Sequence, residues 1–221
     1  MQNSEEMDFR DGLVYDPSVK GFDSNFWKGD TANLTYDTVR TALEFGDTGL
    51  VGSVSSYSQY VYGDIEFTIT VDSLSPDSND SEKYWGVRNL GDSSQRGASY
   101  FEMRYDTVTG GDTATTRPLR AVAVSETGTI QRKNITWDTL WGGTTSGARY
   151  RIIWEQSGYS FLINDSVYAT LGDKPDSSNT TFQINTSIPQ ALRISNRTVD
   201  TVDSSAMGLK LLKIRNARKI I

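Results

Sequence analysis

The segment Asp64–Val71 constrains this chain more than any other. Ile65, Phe67, Ile69 and Val71 fall on one side of an extended backbone, and Glu66, Thr68 and Thr70 on the other. A repeat of two is what a strand with one buried face requires, and a helix cannot satisfy it. Similar short segments recur along the chain: Thr41–Phe45, Leu50–Ser56, Tyr84–Arg88, Ser99–Asp106, Val167–Leu171, Thr181–Asn185, Gln190–Ser195 and Leu209–Arg215. Arg120–Ser125 and Thr129–Lys133 flank Glu126-Thr127-Gly128, and Tyr150–Glu155 and Tyr159–Asn164 flank Gln156-Ser157-Gly158. Both pairs read as hairpins. No stretch keeps a 3.6-residue period over three turns. Thr38–Glu44 could be drawn as a short helix, but Val39, Thr41, Leu43 and Phe45 alternate as well.

About a dozen short strands joined by polar loops predict an all-β fold, a two-sheet antiparallel sandwich. At 221 residues the chain can bury a sizeable core in a single domain. No Pro/Gly/Ser linker divides it. The domain is expected over 21–221, with 1–20 as an N-terminal extension. The hydrophobic fraction of 36% fits a sandwich that wets both outer faces.

Charge and residue usage exclude several functions. The net charge of −6 argues against a general nucleic-acid binder. There is no histidine, which rules out serine–histidine and cysteine–histidine catalysis and the histidine-based zinc hydrolases. There is no cysteine, so no disulfide staples the fold. After Asp203 no acid follows, whereas Lys210, Lys213, Arg215, Arg218 and Lys219 do. This reads as a charged edge strand, or as a docking tail for an acidic partner.

Met1-Gln2-Asn3-Ser4-Glu5-Glu6 does not have the character of a secretory signal, and no apolar run is long enough to span a membrane. An outer location would then be reached by processing, by another route, or in a particle released by lysis. Asn-x-Ser/Thr triplets start at Asn33, Asn79, Asn134, Asn164, Asn179, Asn185 and Asn196. They read either as turn chemistry or as a glycosylated surface.

The order of the segments carries a resemblance. Phe22-Asp23-Ser24-Asn25-Phe26-Trp27 opens the series, and Leu43-Glu44-Phe45 precedes Gly52-Ser53. Tyr62-Gly63-Asp64-Ile65-Glu66-Phe67 is followed by Tyr84-Trp85-Gly86-Val87-Arg88, then by Tyr100-Phe101-Glu102. Tyr150-Arg151-Ile152-Ile153-Trp154, Phe161-Leu162-Ile163-Asn164-Asp165 and Leu209-Lys210-Leu211-Leu212-Lys213-Ile214 complete it. The whole resembles a concanavalin A-like lectin/glucanase domain, the jelly roll shared by laminin-G-like modules, legume-type lectins and family 16 glycoside hydrolases. The resemblance lies in pattern and spacing over nearly the full chain, so it speaks to fold before function.

That resemblance implies a ligand on a concave sheet. Family 16 hydrolases place two glutamates on one concave strand as Glu-x-Asp-x-Glu. Here Phe101-Glu102-Met103-Arg104-Tyr105-Asp106 resembles that strand. Phe101, Met103 and Tyr105 would face the core, and Glu102, Arg104 and Asp106 the other side. Glu102 falls on the nucleophile position, but Arg104 and Asp106 replace the central aspartate and the acid. A retaining glycosidase needs two carboxyl groups about 5–5.5 Å apart, one of them protonated. A permanently charged arginine beside Asp106 favours its ionised form, the wrong state for a general acid. No catalytic residue is therefore expected.

A binding surface is expected instead, built from Tyr84 or Trp85 with Arg88, Glu102, Arg104 and Asp106. Only one of the two faces of Tyr84–Arg88 can look outward, and Tyr84 and Arg88 are preferred over Trp85. Trp137 and Trp141 are candidates for stacking against sugar rings from a polar loop, while Trp27 and Trp154 read as core. No cofactor is expected, although Asp92, Asp106, Asp112, Asp165, Asp173 and Asp176 in or near loops could ligate a structural calcium. The jelly roll resembles the laminin-G-like domains of capsid decorations, head fibres and tail adhesins. The resemblance thus implies a non-catalytic binding or structural domain on a virion surface or outside the cell. Such a domain would be oligomeric, partnered by other surface proteins, with glycan as a ligand and no nucleic acid or membrane insertion. A free extracellular lectin and a family 16-like hydrolase are the alternatives.

Overall fold

A computed structural model describes residues 13–30, 34–46, 49–58, 63–71, 82–88, 96–104, 119–125, 127–136, 147–155, 158–172, 190–197, 207–215 and 218–220. Two antiparallel sheets stack face to face. The first runs Ser166–Leu171 (β13), Gly158–Ile163 (β12), Ala148–Glu155 (β11), Gly63–Val71 (β6), Met207–Arg215 (β15), Ala42–Phe45 (β4) and Leu34–Asp37 (β3). Leu13–Tyr15 (β1) pairs with the far half of β15. The second runs Ile130–Ile135 (β10), Leu119–Val124 (β9), Ser99–Arg104 (β8), Glu82–Arg88 (β7), Gln190–Arg197 (β14), Gly49–Ser58 (β5) and Arg218–Ile220 (β16). Trp27–Asp30 (β2) pairs with β5.

The two-residue alternation does what it predicts. Ile65, Phe67, Ile69 and Val71 are all at most 1% exposed and meet Trp85, Phe101, Met103, Leu192 and Ile194 from the second sheet. Ile152 and Trp154 of β11 lie in the same cluster. Rings stack at its centre: Tyr150 lies 4.7 Å from Trp85 and 5.3 Å from Phe101, which is in turn 5.2 Å from Phe161. Edge-to-face contacts of this kind add to the burial of the rings themselves.

Both expected hairpins are present, with Ile130 opposite Val124 and Glu155 opposite Gly158. Thr38–Glu44 is not a helix: a turn reaches Thr41 and β4 begins at Ala42. The one helix among the described residues is Pro17–Lys20 (α1), opened by Pro17 and capped by Asp16, whose carboxylate accepts from the Ser18 amide at 2.8 Å. It is far too short to cross a membrane. Thr181–Asn185 lies outside the described residues.

Two expectations shift. Residues 13–20, placed by the sequence in an extension, form part of the sandwich: β1 pairs with β15, and Tyr15 is buried against Trp27 and Phe26. Nor is the late basic run as a whole a charged edge strand: Arg218 and Lys219 lie on β16, at the end of the second sheet's order, but Lys210, Lys213 and Arg215 lie on β15. β15 is central, with β6 on one side and β4 and β1 on the other. Lys213 and Arg215 have acidic neighbours on β6.

Candidate functional site

The outer face of the second sheet follows from parity. On β7, Trp85 and Val87 point into the core, so Tyr84, Gly86 and Arg88 look away from it. On β8, Phe101 and Met103 are core, which turns Tyr100 and Glu102 outward. On β9, Ala121 and Ala123 face in, and Arg120, Val122 and Val124 face out. The outward apolar groups gather into a second small cluster of Tyr84, Ala98, Tyr100, Val122 and Val124.

The register then sets each group beside its neighbour. Tyr84 lies opposite Glu102, and Glu102 opposite Arg120. The Arg88 guanidinium sits 4.1 Å from the ring centre of Tyr84 and 4.7 Å from that of Tyr100, a cation held between two π faces. It also lies 3.7 Å from Glu82. Glu102 is only 4% exposed, with Arg120 at 3.8 Å and Arg132 at 3.9 Å, so two cations compensate one buried carboxylate. Burial pushes the Tyr100 phenol up to about 12, and the charge of Glu102 adds to the rise while Arg88 opposes it.

Gly86 holds this arrangement together. Its φ is +156°, and a Cβ there would lie 2.5 Å from both the Ser99 carbonyl oxygen and the Tyr100 Cα. Those are backbone atoms, which cannot move aside as a flexible side chain can.

Of the residues expected at the site, the structure brings Tyr84, Arg88 and Glu102 together on one face. It places Trp85 on the opposite side, wholly buried in the core, because it shares the parity of Val87. Arg104 ends β8 but its side chain lies outside what is described, as do Asp106, Trp137 and Trp141 altogether. Glu102 therefore meets two arginines from other strands. The sequence missed Tyr100, Arg120 and Arg132. Tyr100 was accessible, since it keeps step with Glu102 at a spacing of two. Arg120 was not, because the long segment 105–118 leaves the β8–β9 register open.

The remaining expectations fall elsewhere. Among the described residues no three acidic side chains gather as a metal site. Asp165 pairs with Arg149, and Asp92, Asp106, Asp112, Asp173 and Asp176 lie outside the described residues. Asn196 is 1% exposed and its amide donates to the Phe45 carbonyl at 2.7 Å, so in the folded chain it is a core hydrogen-bond donor and not a glycosylation site. Asn134 and Asn164 are exposed, and the other four triplets lie outside the described residues.

The outer face of the first sheet is built differently. Asp64 accepts from Arg151 through both carboxylate oxygens, with the Nε contact at 2.7 Å, and from Arg215 at 3.0 Å. Glu66 accepts from Lys213 at 3.1 Å. Of the basic residues late in the chain, Lys213 and Arg215 are counter-charges of β6.

No model of a known protein family matches the sequence, and no curated protein matches it either. Solved structures do. A Bacillus licheniformis β-glucanase superposes with a TM-score of 0.63 at 12% identity, covering 93% of this chain and 98% of its own. A Crh5 transglycosylase gives 0.61 at 14% identity, over 93% and 84% of the two chains. The carbohydrate recognition domain of Emp46p gives 0.60 at 12% identity, over 92% and 95%. The fold is thus the concanavalin A-like jelly roll, a single scaffold that in these neighbours carries both enzymes and a lectin domain.

Proposed function

We propose that this jelly roll is a non-catalytic glycan-binding domain and that the outer face of the second sheet is its ligand surface. The observation that carries the reading is the setting of Glu102. It occupies the strand position where the hydrolase resemblance puts a nucleophile, yet it lies between Arg120 and Arg132 at 3.8 and 3.9 Å. A carboxylate compensated on two sides is suited to a static role, organising donors around a ligand. The other acid described on this face, Glu82, is drawn to Arg88. Glycan ligands are in keeping with the fold, since the neighbours include a carbohydrate recognition domain.

The opposing reading is a glycosidase, favoured by the β-glucanase and transglycosylase neighbours. One set of assays separates the two. Laminarin, agarose, carrageenan and mixed-linkage glucan are incubated with the protein and with Glu102→Gln, and reducing ends are counted alongside binding. Binding without release supports the lectin reading. Release that disappears in Glu102→Gln makes the strand catalytic and overturns it.

We further propose that the domain is displayed on an outer surface, as a capsid decoration, fibre or adhesin of a virion, where it forms an oligomer with other surface proteins. The Ser/Thr-rich loops and the acidic, cysteine-free composition support this placement. The check is co-purification with particles in a fixed stoichiometry; recovery of the protein only in the free soluble fraction would make it a free lectin.

A further inference from the structure

We infer that the ligand is an acidic glycan, a polysaccharide bearing carboxylate or sulfate groups, and that Arg193 receives its charge. The inference rests on the glycan-binding reading above and narrows it to one chemistry.

The first observation is the charge of the face. Among the side chains described there, Lys28, Arg88, Arg120, Arg132 and Arg193 stand against only Glu82 and Glu102. The whole chain carries −6. A basic face on an acidic protein is a local field that draws anions to one place while the remaining surface repels them. Both acids already face arginines, Glu82 by Arg88 and Glu102 by Arg120 and Arg132. Neither is paired with Arg193.

The second observation is Arg193 itself. Its Nε is buried and has no hydrogen-bond partner. Buried donors are nearly always satisfied, so an orphaned one on a candidate ligand face marks a place where an acceptor is missing. The register explains why nothing in the sheet satisfies it: Arg193 lies opposite Gly86 on one side and opposite Gly52 on the other. Neither neighbour has a side chain to offer. The row across the sheet reads Tyr100, Gly86, Arg193, Gly52, Lys28. The floor on each side of the guanidinium carries no side chain, with an exposed lysine about 10 Å beyond it, two strand spacings away.

The chemistry follows. A guanidinium presents parallel donors that match the two oxygens of a carboxylate or sulfate. Two cations separated by a flat strip suit charges that repeat along a polymer better than one small anion. A nucleic acid is also a repeating anion; the fold, shared with a carbohydrate recognition domain, favours the glycan, and a DNA arm in the test separates the two.

The test measures affinity of the full chain for polygalacturonate, dextran sulfate, unmodified dextran, laminarin and single-stranded DNA. Binding to polygalacturonate, dextran sulfate or both is expected, weakening as salt rises, and whichever is held names the acidic group. Arg193→Ala should weaken that binding at least tenfold with an unchanged urea midpoint. Arg193→Lys should recover part of it, and Lys20→Ala, on α1, should leave it intact. Neutral glycans bound as tightly as acidic ones, with Arg193→Ala silent, would overturn the acidic ligand but spare the glycan reading. DNA held as tightly as the sulfated polymer would make the face a general polyanion surface and overturn the glycan assignment. No binding to any glycan would remove both readings.

Discussion

The two outer faces of this sandwich use the same kinds of residue to different ends. On the first sheet Asp64 and Glu66 are met by Arg151, Lys213 and Arg215 at hydrogen-bonding distance, and Asp64 takes Arg151 through both oxygens. On the second sheet Glu102 has Arg120 at 3.8 Å and Arg132 at 3.9 Å, and Arg88 lies over the faces of two tyrosines with Glu82 at 3.7 Å. The first face has spent its charges on itself. The second turns an arginine onto two tyrosine rings and leaves the Nε of Arg193 with an unused donor. What separates the two faces here is therefore the orphaned donor of Arg193 and the arginine set over two rings, since both faces hold charged residues on alternating positions.

The comparison needs a common reference, which the shared core supplies. Phe67 is fully buried beneath both faces. Phe67→Ala should lower the stability by about 3–5 kcal/mol in urea denaturation, the range for a buried phenylalanine. A loss below 1 kcal/mol would mean the strand faces are assigned backwards. The next largest effect belongs to the first sheet. Asp64→Asn removes the carboxylate that both Arg151 and Arg215 bond, although Arg215 keeps Glu66 at 3.7 Å. Both reach solvent, with side chains 27% and 39% exposed, so the cost falls below that of breaking a fully buried pair, at about 2–3 kcal/mol. If Asp64→Asn is neutral, the close pairs of this face are ornamental and the contrast collapses.

Much of this was legible beforehand, and the boundary has physical causes. β6, β11 and β12 were readable because nine, eight and six residues give the alternation room to repeat. β1, β2 and β3 were not, since three or four residues hold too few alternations to stand out. Tyr84 and Arg88 were placed outward correctly, since parity on a single strand needs no tertiary information. Trp85 was entertained for the site because aromatic residues attract a carbohydrate reading, and the same parity consigns it to the core. Lys213 and Arg215 read as part of a charged edge because their partners lie far away in sequence, 151 residues separating Arg215 from Asp64. Arg193 carried no signal at all: its neighbours Gly86 and Gly52 are known only once three strands are in register.

A smaller effect probes the floor of the second face. Gly86→Ala forces a methyl group to within 2.5 Å of the β8 backbone at Tyr100. Strand β8 must shift, at a cost of about 1–3 kcal/mol for overpacking. The same shift moves Tyr100 away from Arg88, so ligand binding should fall by more than the stability loss explains. Loss of stability with binding intact would mean the tyrosine–arginine stack plays no part in recognition.

The smallest and most discriminating effect is electrostatic. Tyr100 has its phenol raised from 10.0 to about 12, first by burial, then by the charge of Glu102. A group whose pKa is higher in the fold than in the unfolded chain gives stability that is complete below pH 10 and is lost as pH rises through 12. Burial raises Tyr150 and Tyr159 further still, so they prolong the loss at higher pH without depending on either outer face. Glu102→Gln removes the negative charge beside Tyr100 and leaves Arg88 and Arg132 to favour the phenolate. The folded pKa then moves down towards 10, and the stability lost between pH 10 and 12 becomes smaller than in the wild type. Near pH 8 the same substitution should itself cost about 1–3 kcal/mol, because the buried Arg120 loses a compensating charge while Gln keeps the size and an acceptor. Asp64→Asn should differ at high pH: after its loss near pH 8, its decline between pH 10 and 12 should run parallel to that of the wild type. Urea denaturation of the three proteins at pH 8, 10, 11 and 12 reads both quantities. Parallel declines in all three would show that Glu102 does not act on Tyr100, and the second face would then have no more electrostatic coupling among its groups than chance proximity supplies.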